Sequence, residues 1–199
     1  MLLKESGIEI CFVSRNKRKF IEARELLKDY NINLVMTPLD IKLELQSENL
    51  EEIALYAAIL ARTILRRAVV VEDTGLYINA LKGFPGPYSS YVYRTIGLKG
   101  ILKLMEGEQD RRAYFKSVVV LIYKNIVKCI TGTCFGSISY YIRGIGGFGF
   151  DPIFVPMGEK RTFAEMSIEE KNLYSHRGIA FRMLGEWVSK NINLFYDKT

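Results

Sequence analysis

Cysteine and histidine are scarce in this chain. Cys11, Cys129 and Cys134 are its three cysteines, and it has one histidine among 199 residues. An odd cysteine count without tight spacing argues against the disulfide framework of small secreted domains. One histidine and scattered thiols make a poor ligand set for structural zinc, so the cysteines are expected to be buried thiols. No apolar run approaches the ~18 residues that a membrane-spanning helix needs. The N-terminus lacks the order of charged, apolar and small residues that marks a signal peptide. The expectation is a soluble, cytoplasmic protein with no membrane partner. Internal repeats, low-complexity tracts and linker-like composition shifts are also missing, so residues 1–199 are expected to form one domain, with room for two small lobes around a shared core.

What is present is ordinary for a globular protein: 49% hydrophobic and 12% aromatic residues. The net charge is +6. That permits a nucleic acid, a nucleotide or another anion as partner, and equally a surface kept soluble by lysine. Apolar periodicity predicts strands over 8–14, 33–39 and 68–74. It predicts helices over 16–30, 51–67, part of 88–105, and about 177–190. Phe20, Ala23, Leu26 and Leu27 stripe the first helix. Ile53, Ala57, Leu60, Ala61 and Ile64 stripe the second, and Ala180, Leu184, Trp187 and Val188 the last. GFPGP (83–87) suits only a loop. Two long β-like runs, 113–124 and 126–142, are joined near Lys124-Asn125 as a hairpin without the strong glycine signal. Helices alternate with strands in the first half, and strands pair in the second. The expected fold class is therefore mixed α/β.

Four segments carry chemistry. In SRNKRK, Ser14 or Asn16 can cap the first helix, and Lys17, Arg18 and Lys19 fill its first turn. Cations there oppose the helix dipole at ~0.3–1 kcal/mol each. They are either solvated charges tolerated at a surface or part of an anion site, because free N–H groups and a lysine together cradle phosphate. There is no G-x-x-x-x-G-K-[ST], so this is not the usual P-loop. SHRG repeats the pattern: Ser175 can cap the last helix, with His176 and Arg177 in its first turn and Lys171 just upstream. In VVVEDTGLY a run of branched apolar residues stops at Glu72 and Asp73. Two acids at a strand end suit either an acidic turn or the hard oxygen ligands that magnesium takes when it carries phosphates. One of them can instead deprotonate water. GGFGFDP offers glycines for close backbone approach, with Phe148, Gly149, Phe150 and Asp151 in sequence. That composition fits either stacking on a nucleobase or a glycine-rich turn holding core aromatics. Glu44 reads by itself as a solvated acid before a helix.

These segments together resemble the inosine/xanthosine triphosphate pyrophosphatases, which clear non-standard purine nucleotides. The matching pieces are S-x-N-x-x-K (Ser14, Asn16, Lys19), VEDTGL with LKGFPGPYS downstream, FGFDPIF, and EKN followed by SHRG. They span about residues 8–188, nearly the whole chain. The resemblance implies a mixed sheet, largely of extended antiparallel strands, with flanking helices and two lobes around a central cleft. It also implies a homodimer and Mg²⁺-dependent hydrolysis of ITP, dITP or XTP to the monophosphate and pyrophosphate. By motif position Glu44 and Asp73 would be the metal carboxylates, Asp73 also the proton acceptor, and Glu72 an acid behind them. Ser14, Arg15, Asn16, Lys17, Arg18 and Lys19 would hold the triphosphate, and Thr74 would contact substrate. Phe148, Gly149, Phe150, Asp151, Lys171, His176 and Arg177 would surround the base and phosphates. Many members carry glycine where this chain has Arg15.

The residue types suit those roles. Hypoxanthine and xanthine present a carbonyl O6 and an N1–H. Asp151 can accept from N1–H while His176 and Arg177 donate to O6. Adenine shows the reverse pattern and would leave buried groups unpaired. Two other readings compete. One is a pyrophosphatase for modified pyrimidine or methylated nucleotides, against which FGFDP and SHRG argue. The other is a basic nucleic-acid-binding module, which gives no reason for the Glu72-Asp73 pair; no stable nucleic-acid complex is expected. Lys19 provides a first test: Lys19→Ala is expected to weaken binding of ITP far more than binding of the nucleoside inosine. Equal ITP affinity for both proteins by calorimetry would make Lys19 a merely solvated charge.

Overall fold

A computed structural model of the chain describes residues 7–39 and 45–196. Its elements are β1 (Ile8–Phe12), α1 (Lys17–Lys28), β2 (Ile32–Met36), α2 (Leu50–Leu65), β3 (Val69–Ile78), β4 (Pro85–Gly86), α3 (Ser89–Thr95) and α4 (Gly97–Leu104). They continue with β5 (Arg112–Tyr123), β6 (Ile126–Ile138), β7 (Phe154–Pro156), α5 (Ile168–Tyr174), α6 (His176–Lys190) and α7 (Asn193–Tyr196). One sheet runs in the order β2-β1-β3-β5-β6-β7, with the two-residue β4 paired beside β3. β1 is parallel to β2 and β3, and the other pairings are antiparallel. The fold is mixed α/β, as expected from the sequence.

The central strands are covered on both faces, which is why their sequences read as continuous branched apolar runs. Val70 and Val119 pack with Leu27 of α1 and Phe181 and Leu184 of α6. Val69, Val71, Val118 and Val120 face the other way, against Ala54, Ala58 and Ala61 of α2. A separate aromatic-rich core, including Phe115, Phe150, Phe154 and Phe163, fills the far end with Val92 and Ile101 from α3 and α4. The β5–β6 hairpin turns at Lys124, which takes the left-handed conformation (φ 50°) that glycine would otherwise supply.

Several expectations are corrected. β3 does not stop at Glu72 and Asp73; it continues to Ile78, because Thr74 to Ile78 keep pairing with Ser117 to Ala113. α2 buries Leu50, Ala54, Ala58 and Ala61, while Ile64 is exposed. Alanine lets the helix approach the sheet closely, so its smallest residues, not its largest, face inward. The helix within 88–105 is two helices, separated at Gly97 with φ 61°. β6 ends at Ile138, and Tyr140 and Tyr141 are exposed. Cys11 and Cys134 are buried, but Cys129 is exposed. α5 was not expected at all, although its Ser167/Glu170 capping box is visible in the sequence.

α6 lies directly on β6 at Gly132. A Cβ there would come within 2.2 Å of the His176 carbonyl and 2.7 Å of the Ala180 nitrogen. Gly132→Ala is therefore expected to push the start of α6 off the sheet. The expected loss is about 1–3 kcal/mol, as for other overpacked sites, read as a lower melting temperature. An unchanged melting temperature would show that the helix can shift freely.

Candidate active site

A cleft of about 580 Å³ opens beside the aromatic-rich core, with Phe115 and Phe150 in its wall. That size suits a nucleotide-scale ligand. The lining of the cleft brings together Ser14, Asn16 and Lys19 from the turn into α1, Asp73 and Thr74 from β3, and Phe148, Gly149, Phe150 and Asp151 from the glycine loop. His176 and Arg177, at the start of α6, complete the lining. The segments singled out in the sequence thus converge.

The turn into α1 is built by side chains. Ser14 Oγ accepts from the Asn16 amide at 3.0 Å, and Asn16 Oδ1 accepts from the amides of Arg18 (3.0 Å) and Lys19 (3.3 Å). Asn16 is the cap. Arg15 and Arg18 are exposed and line the cleft, and the Arg18 guanidinium donates to the Gly147 carbonyl across its mouth. Lys17 is exposed and lies off the cleft. Lys19 is not solvated in this structure: its ammonium sits 2.9 Å from Glu72 Oε2, an ion-pair contact outside hydrogen-bond geometry.

Glu72 and Asp73 part company because strand residues alternate in direction. Glu72 follows Val70 toward the α1/α6 layer. Its Oε1 accepts from the hydroxyls of Thr74 and Ser117 (the latter at 2.7 Å) and pairs with Arg177 Nη2 at 3.1 Å. Burial alone would raise its pKa, but the charges of Arg177 and Lys19 outweigh burial and hold the carboxyl far below the usual range. Asp73 is half-buried, and the Thr74 amide donates to its Oδ1 at 2.8 Å. Burial raises its pKa, only partly opposed by Lys19. No ion pair reaches Asp73 among the described residues.

Behind the cleft lies a residue that the sequence reading missed. Glu22 is buried on α1; its Oε1 pairs with Lys171 at 2.8 Å and its Oε2 with Arg177 at 2.6 Å. Burial raises its pKa and the charges of Arg177 and Lys171 lower it further, so it stays below its ordinary value of 4.5. Its signal was local: Glu22 falls three residues after Lys19 and beside Ala23, on the buried face of α1. Lys171 also pairs with Asp151 Oδ2 at 2.7 Å, and the same oxygen accepts from the Phe148 amide at 2.7 Å. Burial raises the Asp151 pKa, against the pull of Lys171. Gly147 (φ 64°) and Gly149 (φ 60°) make this tight loop possible, and a Cβ at Gly147 would meet Asp151 Oδ2 at 2.2 Å. The Phe148 ring has Lys171 4.8 Å and Arg177 5.4 Å from its centre. Phe150 belongs to the far core and meets the Tyr93 ring at right angles. Tyr93, which also lines the cleft, had no motif to announce it.

His176 is buried and stacks on Phe115 at 4.6 Å. Burial and the neighbouring Arg177 push its pKa well below 6.5, so the ring is neutral at neutral pH. Both of its ring nitrogens, and Arg177 Nε, are enclosed without a hydrogen-bond partner among the described residues. Buried polar atoms without partners in a cleft wall are groups that a ligand or an ordered water can satisfy. No group of three or more His, Cys, Asp or Glu ligands occurs among the described residues, and Glu44 lies outside them.

Comparison with known proteins agrees with this geometry. The Ham1 family model matches residues 10–187. The chain is 52% identical over 182 residues to a dITP/XTP pyrophosphatase of Saccharolobus solfataricus, covering 92% of this chain and 94% of that one. It is 46% identical over 185 residues to a dITP/XTP pyrophosphatase of Pyrococcus horikoshii, covering 93% and 99%. Its fold is similar to that of a HAM1 protein from Coxiella burnetii, with TM-score 0.81, 30% identity and coverage of 92% and 99%.

The charge network makes a pH-dependent prediction. Glu22→Gln leaves Lys171 and Arg177 short of a countercharge, and breaking a buried pair typically costs about 3–5 kcal/mol. Because the Glu22 pKa is lowered on folding, its stabilisation is full above its unfolded value and is lost as pH falls through the folded value. Denaturant unfolding should therefore show a large deficit for the variant at neutral pH and a smaller one in strong acid. A deficit that does not vary with pH would assign the loss to packing alone.

Proposed function

Because the chain belongs to the Ham1 family, we propose that it hydrolyses ITP, dITP and XTP to the monophosphate and pyrophosphate, clearing them from the nucleotide pool. The observation that carries this reading is that His176 and Arg177 line the cleft and hold buried nitrogens without partners among the described residues. A neutral imidazole brings one donor and one acceptor, and Arg177 Nε brings another donor. A 6-keto purine offers O6 to such donors. Asp151 Oδ2 serves Phe148 and Lys171, so Oδ1 is the oxygen assigned to accept from N1–H. Adenine, with its pattern reversed, would strand these groups. Phe148 is the stacking surface, held in place by the Asp151 loop.

The triphosphate lies along the turn into α1, against Lys19, Ser14, Asn16 and the cleft-lining arginines. The charge arithmetic supports a metal beside it. Glu22, Glu72 and Asp151 pair with Lys19, Lys171 and Arg177, which leaves Asp73 as a cleft-lining carboxylate with no ion pair among the described residues. A hard oxygen of this kind fits Mg²⁺, with Glu44 as the second carboxylate. Bound there, Mg²⁺ would neutralise phosphate charge. Asp73, its basicity raised by burial, takes a proton from the attacking water. The water oxygen bonds to the α-phosphorus, and the bond from that phosphorus to the bridging oxygen breaks, releasing pyrophosphate. The resemblance's homodimer, its cytoplasmic setting and a single two-lobed domain over residues 1–199 belong to the same reading. Exposed Tyr140, Tyr141 and Ile145 supply apolar surface for a second copy. No described helix is long and apolar enough to cross a membrane.

Pyrophosphate release from ITP, dITP, XTP, GTP, ATP and CTP, with and without Mg²⁺, tests the reading. ITP, dITP and XTP should exceed ATP in kcat/KM by about 100-fold or more. Asp73→Asn should fold normally and lose nearly all turnover. Near-normal hydrolysis by the folded variant would remove Asp73 from the mechanism, and equal turnover of all six nucleotides would remove base recognition.

A further inference from the structure

The two oxygens of Glu72 serve different parts of the site. Oε1 takes the Thr74 and Ser117 hydroxyls and the Arg177 guanidinium. Oε2 faces the Lys19 ammonium at 2.9 Å, which also lies 3.5 Å from the Glu72 carbonyl. The carboxylate is completely enclosed, its side chain 0% exposed. It does not line the cleft, so it is out of reach of a metal or a water held there. Lys19 cannot leave Oε2 without stranding a buried charged oxygen, a costly arrangement.

We propose that Glu72 is a positioning residue for the hydrolysis, one that locks the phosphate-holding Lys19 and the inner Arg177 into a single unit. The inference rests on the hydrolysis reading above. Glu72 works through both cations and touches neither substrate nor metal. Two adjacent acids on one strand then have separate duties. Asp73 faces the reaction, and the charge of Glu72 is spent inside the protein.

Glu72→Gln discriminates sharply, because the amide has one workable orientation. Its oxygen must replace Oε1, where three donors converge. Its NH₂ must then replace Oε2 and point at the Lys19 ammonium, donor against donor. Lys19 is driven from its place. Yet the variant removes a negative charge near a polyanion site, which cannot weaken electrostatic attraction for phosphate. Loss of turnover can then come from placement or from a less basic Asp73 once the neighbouring charge is gone, and Ser117→Ala, which keeps that charge, separates the two. A misplacement of about 1 Å can cost on the order of 100-fold in rate.

The experiment joins tripolyphosphate calorimetry in metal-free buffer with dITP kinetics across a Mg²⁺ titration. It compares wild type, Glu72→Gln, Lys19→Ala and the double variant. For Glu72→Gln we expect a tripolyphosphate Kd equal to or below wild type and a kcat lower by about 100-fold. The Mg²⁺ concentration for half-activity should not move. In the Lys19→Ala background the same change should cost at least about fivefold less in kcat, the signature of two residues acting as one. A kcat within about threefold of wild type, weakened tripolyphosphate binding, fully multiplicative effects, or a Mg²⁺ requirement raised about tenfold would each overturn the proposal; the last would make Glu72 a metal ligand. If Glu72→Gln does not fold, Ser117→Ala is decisive instead. It frees one anchor of Oε1 without altering charge or the cleft lining, and should lower kcat by about tenfold at constant tripolyphosphate Kd. An unchanged kcat there overturns the proposal equally. Wild-type turnover in the same assays is the control: its absence would refute the hydrolysis reading, not the role of Glu72 in holding Lys19, which the tripolyphosphate binding of the four proteins reads independently.

Discussion

A guanidinium sealed inside the protein is the constraint around which the site is organised. Arg177 is 1% exposed and always charged, so it needs compensating charge at close range. Glu22 from α1 and Glu72 from β3 supply it, at 2.6 and 3.1 Å. That requirement ties three elements from distant parts of the chain to one another. Lys171 and Lys19 then balance the acids, and Asp151 is drawn in through Lys171. Each group is costly to bury alone and tolerable only with its partners. Groups that depend on one another in this way hold each other in place, which is what a site needs to keep its donors preorganised.

The sheet divides the labour. A strand sends successive side chains to opposite faces, so two neighbouring acids in β3 meet different environments. Glu72 falls among donors in the α1/α6 layer and stays ionised. Asp73 falls beside the cleft, short of cations, and its proton is held more tightly. The same adjacency that looks like mutual repulsion in one dimension becomes a separation of roles in three. Thr74 serves both acids, its hydroxyl toward Glu72 and its amide toward Asp73.

The fold class and most elements were legible in the sequence, because they rest on local periodicity. The α1 stripe at Phe20, Ala23, Leu26 and Leu27 and the α6 stripe at Ala180, Leu184 and Val188 follow from helix geometry alone. The α2 stripe was right at Ala61 but otherwise rotated toward larger residues such as Ile53 and Ile64; Ala54, Ala58 and Ala61 face the sheet so that the helix can sit close. The apparent end of β3 at Glu72 was misjudged because polarity was taken for a boundary. A charged residue can continue a strand when donors from other elements meet it, and those donors cannot be seen from the strand.

By itself the sequence singled out the segments that meet at the cleft: the capped cationic turn at Ser14 to Lys19, the Glu72-Asp73 pair, the glycine loop before Asp151, and His176-Arg177. These are local patterns, set by capping, by glycine's freedom and by side-chain type. Only the tertiary structure decided their partners. Arg177 reaches Glu22 across 155 residues of chain, Lys171 reaches Glu22 across 149, and Ser117 reaches Glu72 across 45. No spacing rule spans such distances, because a hydrogen bond or ion pair depends on where the folded path brings two atoms, not on how many residues lie between them.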